Sequence, residues 1–269
     1  MIKIGTSGFS FDDWKGNVYP LKIRKEDMLS YYENELGFES LEVNYTYYRL
    51  PSEKTMNGMD RKTSKDFEFV VKGYRGMTHD PFDNRIKERP DRAEAEENFK
   101  KFAFGIQPLV DANKLGAVLL QFPVFFYPGQ ESRDYLAMAG EALKGVPLVV
   151  EFRNSGWAEP GTYEFLRENN IGFCTVDEPK LPKLMPFVEE TTSDISYLRF
   201  HGRNKNWFNA PMLTRYDYLY TKAELKDFVG PVKDMGNKTK KEYVFFNNCH
   251  SGSAVKNAIM MKELLVDIL

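Results

Sequence analysis

The segment Leu148-Val149-Val150-Glu151-Phe152-Arg153 is apolar up to Val150 and then sets an acid and a base two positions apart. Charged side chains are seldom buried without partners, so an apolar run that ends this way asks what surrounds its last residues. Other apolar runs end alike: one in Glu42 and Asn44, one in Lys72, one in Gln121, one in Asp177, one in Arg199, His201 and Arg203, and one in Asn247 or Asn248. Taken together, Lys72, Arg153, Arg199 and Arg203 stand against Glu42, Glu151 and Asp177, with His201 titratable. Clustered arginines suit bidentate binding of phosphate or carboxylate. Carboxylates and a histidine suit general acid/base catalysis. Glu151, with Arg153 beside it, is expected to be anionic and to act as a base or as an orienting partner, and His201 to be the proton donor. For Lys72 an ion pair to Glu42 or Asp177 is expected, with imine-forming chemistry as the alternative.

The elements that must hold these residues follow from hydrophobic pattern. Short runs rich in β-branched and aromatic residues predict eight strands over Ile2–Thr6, Ser40–Asn44, Phe67–Lys72, Gly116–Phe122, Pro147–Phe152, Gly172–Val176, Tyr197–His201 and Tyr243–Asn247. Helical spacing recurs between them over Lys25–Leu36, Asp91–Ala112, Glu131–Leu143, Thr162–Asn169 and Ala254–Leu269, and from Thr221 through Val232. Weaker helical patterns follow Ser52 and Leu181. Asp91 with Glu94, and Thr221 with Glu224, have the spacing of capping boxes. Eight strands alternating with eight helices over residues 1–269 predict a single closed β/α barrel of parallel strands, with a doubly wound open sheet as the runner-up. Because side chains alternate along a strand, Val149, Glu151 and Arg153 share one face, and Glu42 with Asn44, Val70 with Lys72, and Arg199 with His201 and Arg203 do the same. The polar set then faces inward at the C-terminal ends of the strands, where such barrels place their active sites. Ion-pair layers that only fill space are the bland alternative.

Composition narrows the classes. The chain has 269 residues, 42% hydrophobic and 28% charged, and a net charge of −2, so no overall basic field draws nucleic acid to it. Its two cysteines, Cys174 and Cys249, form no metal-type pair and read as free thiols in a reducing, cytoplasmic setting. No apolar run approaches the roughly 20 residues that cross a membrane, and the N-terminus reads as a strand rather than a signal. Trp14, Trp157 and Trp207 each lie a few residues beyond a predicted strand, where they would stack on a base or sugar ring or pack the rim. His79, in the long Gly73–Pro90 connection, reads as a surface histidine.

Several motifs resemble one family in chain order. They are Gly5-Thr6-Ser7-Gly8-Phe9-Ser10-Phe11-Asp12-Asp13-Trp14, Glu42-Val43-Asn44-Tyr45-Thr46, Leu119-Leu120-Gln121-Phe122-Pro123, Glu151-Phe152-Arg153-Asn154-Ser155-Gly156-Trp157, Arg199-Phe200-His201-Gly202-Arg203 and Phe246-Asn247-Asn248. The family is the domain of unknown function 72, the YecE-like barrels. The resemblance implies a TIM-like barrel and no established reaction. The family often has His where this chain has Asn154, and many members have Trp near Met59; chemistry that used that His would be altered here. The leading expectation is an enzyme of lyase, isomerase or hydrolase type acting on an anionic small molecule, with Glu42, Lys72, Glu151, Asp177 and His201 as its chemical groups. Asn44, Gln121, Arg153, Arg199, Arg203, Asn247 and the three tryptophans would hold the substrate. No cofactor or oligomeric state is implied. The alternatives are a metal-dependent phosphoesterase or isomerase using Glu42, Glu151, Asp177 and His201, and a non-catalytic nucleotide or nucleic-acid binder using Arg203, Lys205, Trp207 and Arg215.

Overall fold

In the computed structural model, which describes residues 1–206 and 215–266, eight strands form one sheet: β1 (Ile2–Thr6), β2 (Ser40–Val43), β3 (Glu68–Lys72), β4 (Leu115–Gln121), β5 (Leu148–Glu151), β6 (Gly172–Asp177), β7 (Ile195–Phe200) and β8 (Lys241–Phe246). They run in the order β1-β8-β7-β6-β5-β4-β3-β2, and each strand is parallel to its neighbours in that order. The ends of the sheet meet through a parallel bridge from Ser7 to Glu42, in which the Gly8 N–H donates to the Glu42 carbonyl at 2.8 Å. Gly5 permits that approach: a Cβ there would lie 2.3 Å from the Ser40 carbonyl oxygen. The expected β/α barrel is therefore present, nearly closed, and the open sheet is not.

The strands are held by what packs outside them. Leu41, Val43, Phe69, Val71, Val150, Phe152, Leu198 and Phe200 are buried on their outer faces, each worth about 1.5–3 kcal/mol when fully removed from water. The helices that cover them are Met28–Asn34, Glu53–Asp60, Arg92–Asp111, Gln130–Ala142, Pro160–Glu168, Lys222–Lys226 with Val229–Lys238, and Ser253–Val266. Both expected capping boxes form, at Asp91 with Glu94 and at Thr221 with Glu224. The helix expected after Leu181 does not. The connection from β6 to β7 carries Pro179, Pro182 and Pro186, each lacking the N–H that a helix interior needs, and it runs from one strand to the next without helix or strand.

Two features set which side chains point inward. The register between β3 and β4 shifts at Phe69/Val70, so that Val70 lies beside Ala117 and Lys72 beside Leu119. This bulge adds a residue to β4 and turns Gln121, level with Glu151, to the inside. Gly116 sits at the shift, where a Cβ would fall 2.1 Å from the Tyr243 hydroxyl. Below it, the N-terminal end of the barrel is plugged by Glu68, which pairs with Lys3 at 3.3 Å and with Lys241 at 2.8 Å and accepts from the Tyr243 hydroxyl.

Candidate functional site at the barrel mouth

At the C-terminal ends of the strands the inward residues form a continuous ionic floor. Arg199, on β7, donates to Glu151 of β5 at 2.5 Å and to Glu42 of β2 at 2.7 Å. The other Glu42 oxygen accepts from the Tyr197 hydroxyl at 2.7 Å. Glu151 also meets Arg153 Nε at 2.5 Å, and Arg153 reaches on to Glu178 at 2.5 Å. His201 Nε2 lies 3.2 Å from Glu151, while its Nδ1 lies 3.0 Å from the Asn247 amide nitrogen. Nε2 therefore carries the proton and Nδ1 accepts. Glu42, Glu151, Arg199 and His201 are at most 1% exposed.

Electrostatics follow from this packing. Burial alone would raise the Glu151 carboxyl, but Arg153, Arg199 and His201 outweigh it and hold it well below the usual carboxylate range. Glu151 is thus the expected anion. Burial, seconded by Arg153, holds His201 well below the ordinary histidine value. His201 is a neutral ring set between Glu151 and Asn247 rather than the proton donor the sequence suggested. Burial pushes Glu178 up to about 7, because Arg153, its partner, is shared with Glu151.

Above the floor the lining changes character. Lys72 ends β3 facing inward, is only partly exposed, and sets its Nζ 4.8 Å from the centre of the Tyr47 ring. Neither Glu42 nor any other carboxylate lies within 4.0 Å of it among the described residues, so the expected ion pair is absent. Burial, then the charge of Arg199, brings its amine down to about 7. His79 is not a solvated surface residue: it packs edge-on to Tyr47, its Nδ1 lies 2.9 Å from the Thr78 hydroxyl, and its Nε2 lies 3.5 Å from the Gln121 amide. Burial and the neighbouring Lys72 take it down to about 3, so it is neutral. Asn44 adds a buried Oδ1 with no hydrogen-bond partner among the described residues.

Glu42, Asn44, Gln121, Glu151, Arg153, Arg199, His201 and Asn247 lie in the motifs that carry the family resemblance, and the comparison with known proteins identifies that family. Residues 3–268 match the family described as "Protein of unknown function DUF72". The chain belongs to the DUF72 family. It is 31% identical to the UPF0759 protein YunF of Bacillus subtilis, over 98% of this chain and 95% of that one. A crystal structure of a DUF72 family protein from Thermotoga maritima MSB8 covers 99% of each chain at 42% identity, with a TM-score of 0.90. A xylose isomerase-like TIM barrel protein from Mycobacterium smegmatis shares the fold alone, at 12% identity over 91% of this chain and 89% of that one, with a TM-score of 0.52.

The DUF72 motifs do not all serve the mouth. Asp177 lies level with Phe200, whose ring packs outward against Phe228 and Phe246. It accordingly faces away from the floor, into a separate cluster where Arg203 holds it at 2.9 Å and the Tyr220 hydroxyl donates to it at 2.6 Å. Arg203 also reaches Glu224 at 3.5 Å. Neither Asp177 nor Arg203 can meet a ligand beside Lys72, contrary to the sequence reading. The residue that does reach inward is Glu178, which the sequence reading missed; alternation counted from Cys174, whose thiol lies 4.0 Å from Glu151, selects it. Without Asp177 the metal set of the alternative reading loses a member, and among the described residues no three His, Cys, Asp or Glu side chains are grouped to hold a metal ion.

The tryptophans are corrected too. Trp14 and Trp157 are fully buried, with their indole N–H groups donating to the carbonyls of Cys249 at 2.7 Å and Phe126 at 2.8 Å. Trp157 stacks on Phe152 at 4.3 Å. Both pack the rim and offer no face to a ligand, while Trp207 lies outside the described residues. Asn154, the position at which the resemblance implied His, also points away from the floor. Its amide donates to the Val124 carbonyl at 2.6 Å and its Oδ1 accepts from the Gly156 N–H at 2.8 Å, which ties together the loops after β4 and β5. Among the described residues no helix is long and apolar enough to cross a membrane.

Proposed function

We propose that this DUF72 protein is an enzyme that acts on an anionic small molecule at the barrel mouth, with Lys72 exchanging the proton. The observation that carries the reading is the state of Lys72: an inward, partly accessible amine with no carboxylate within reach among the described residues, brought by burial to about 7. A group whose pKa matches the working pH is half in each form and can give or take a proton with little penalty. The arginines expected to bind the anion are committed to Glu42, Glu151 and Glu178. Their part is to fix the floor, so the charge that meets an anion is that of protonated Lys72. The ligand's remaining polar atoms have Asn44, Gln121 and Asn247 to meet, the last of which is partly exposed.

Calorimetry with oxalate, which stays a dianion above about pH 6, tests this. An anion that binds only the protonated amine loses affinity by about 100-fold between about pH 6 and about pH 9 when the group titrates near 7. Lys72→Met should remove both the binding and its pH dependence. Oxalate binding that is indifferent to pH, or that survives the substitution, would refute the reading.

A further inference from the structure

We propose that Lys72 forms an imine with its substrate, which makes the ligand class of this site an aldehyde or ketone bearing a carboxylate or phosphate. This rests on the acid/base reading above and narrows it.

The buried lysines of the chain make the case by contrast. Lys3 pairs with Glu68 at 3.3 Å and donates to the Asp66 carbonyl at 3.0 Å. Lys114 pairs with Asp60 at 2.8 Å and donates to the Asp60 and Thr63 carbonyls. Each has acceptors arranged round its Nζ, as a buried cationic side chain requires. Lys72 has no such set among the described residues: none of them hydrogen-bonds its amine, which lies over the Tyr47 ring, 4.8 Å from its centre. A lysine built to fill space would have been given an acid, and two acids are at hand in Glu42 and Glu151. Both are taken by Arg199 instead. The floor so arranged keeps the carboxylates away from the amine and leaves it a nucleophile.

The surroundings suit each stage of the step. Lys72 retains accessible surface, whereas Glu42, Glu151 and Arg199 are sealed. The neutral amine attacks the carbonyl carbon and forms the C–N bond. The oxygen leaves as water, taking both amine hydrogens, and one proton from solvent makes the iminium. The resulting cation lies against the face of Tyr47, where a positive charge is favoured. No oxidant or reductant is consumed.

The experiment uses the intact protein with glyoxylate, an anionic aldehyde, in the presence of sodium cyanoborohydride at neutral pH. Hydride adds to the iminium carbon and leaves a carboxymethyl group on the lysine, located by peptide mass mapping. Lys72 should be labelled at least about tenfold faster than any surface lysine, since far more of it is unprotonated at that pH. Lys72→Met, checked for a cooperative melting transition no lower than that of the wild type, should reduce total labelling to the surface rate. Equal labelling of Lys72 and surface lysines overturns the imine. Calorimetric binding of glyoxylate without trapping overturns it as well, yet leaves the acid/base reading standing, whereas failure of both oxalate and glyoxylate to bind removes the two together.

Discussion

Replacing Lys72 by Met should stabilise the protein, and by an amount that depends on pH. The folded protein lowers this amine from 10.5 to about 7. Lowering a lysine's pKa on folding penalises the fold wherever the unfolded chain would hold the proton. Below about pH 7 both states are protonated and the penalty is complete, on the order of 4–5 kcal/mol at 1.36 kcal/mol per pH unit. Between about 7 and 10.5 the unfolded chain binds more protons than the folded one, so stability rises with pH, and above 10.5 the penalty is gone. From pH 7 to pH 9 the wild-type protein should therefore gain about 2 kcal/mol that the variant does not. Met keeps the unbranched apolar stem, so the packing on Tyr47 is largely retained. Urea unfolding of both proteins at the two pH values isolates the effect, since groups that do not sense Lys72 cancel in the difference and His79, which does, is held neutral in the fold mainly by burial. Expressed as melting temperature, the difference between the proteins should narrow by about 4–8 °C. Parallel pH profiles would refute the claim that Lys72 is a partly buried amine with no acid to compensate it among the described residues, and with it the basis of the functional reading.

Further outcomes follow from the floor and its neighbours. Glu151→Gln leaves Arg199 and Arg153 with one acid each and should cost about 3–5 kcal/mol, read as a fall in denaturant midpoint. The Glu151 pKa is depressed by folding, so the stability it contributes is complete above the unfolded value and is lost as pH falls below that value; the deficit of the variant should shrink in acid. Asp177→Asn breaks the cluster with Arg203 and Tyr220 and should lower stability, while oxalate binding at the mouth stays as in the wild type, because Asp177 faces the other side of the wall.

What the sequence determined by itself was the period of the chain. All eight strands were legible, because buried parallel strands are continuous apolar runs and the turns between them are not. So was the inward face of β2, β3, β5 and β7, since alternation within one strand needs only the strand itself. That was enough to bring Glu42, Lys72, Glu151, Arg199 and His201 together. Tertiary structure decided the rest. Asp177 and Glu178 are adjacent acids at the end of β6, and only the register with β7 says that Glu178 reaches Arg153 while Asp177 lies level with Phe200. Trp14 and Trp157 follow strands as ligand-stacking residues would, but the partners that bury them, Cys249 and Phe126, lie far off in sequence. The state of Lys72 was the least legible. A one-dimensional pattern can set a lysine among acids, but not tell whose ion pairs those acids complete. That depends on which guanidinium reaches them first in three dimensions, and Arg199, placed between Glu42 and Glu151, leaves the amine with no acid among the described residues.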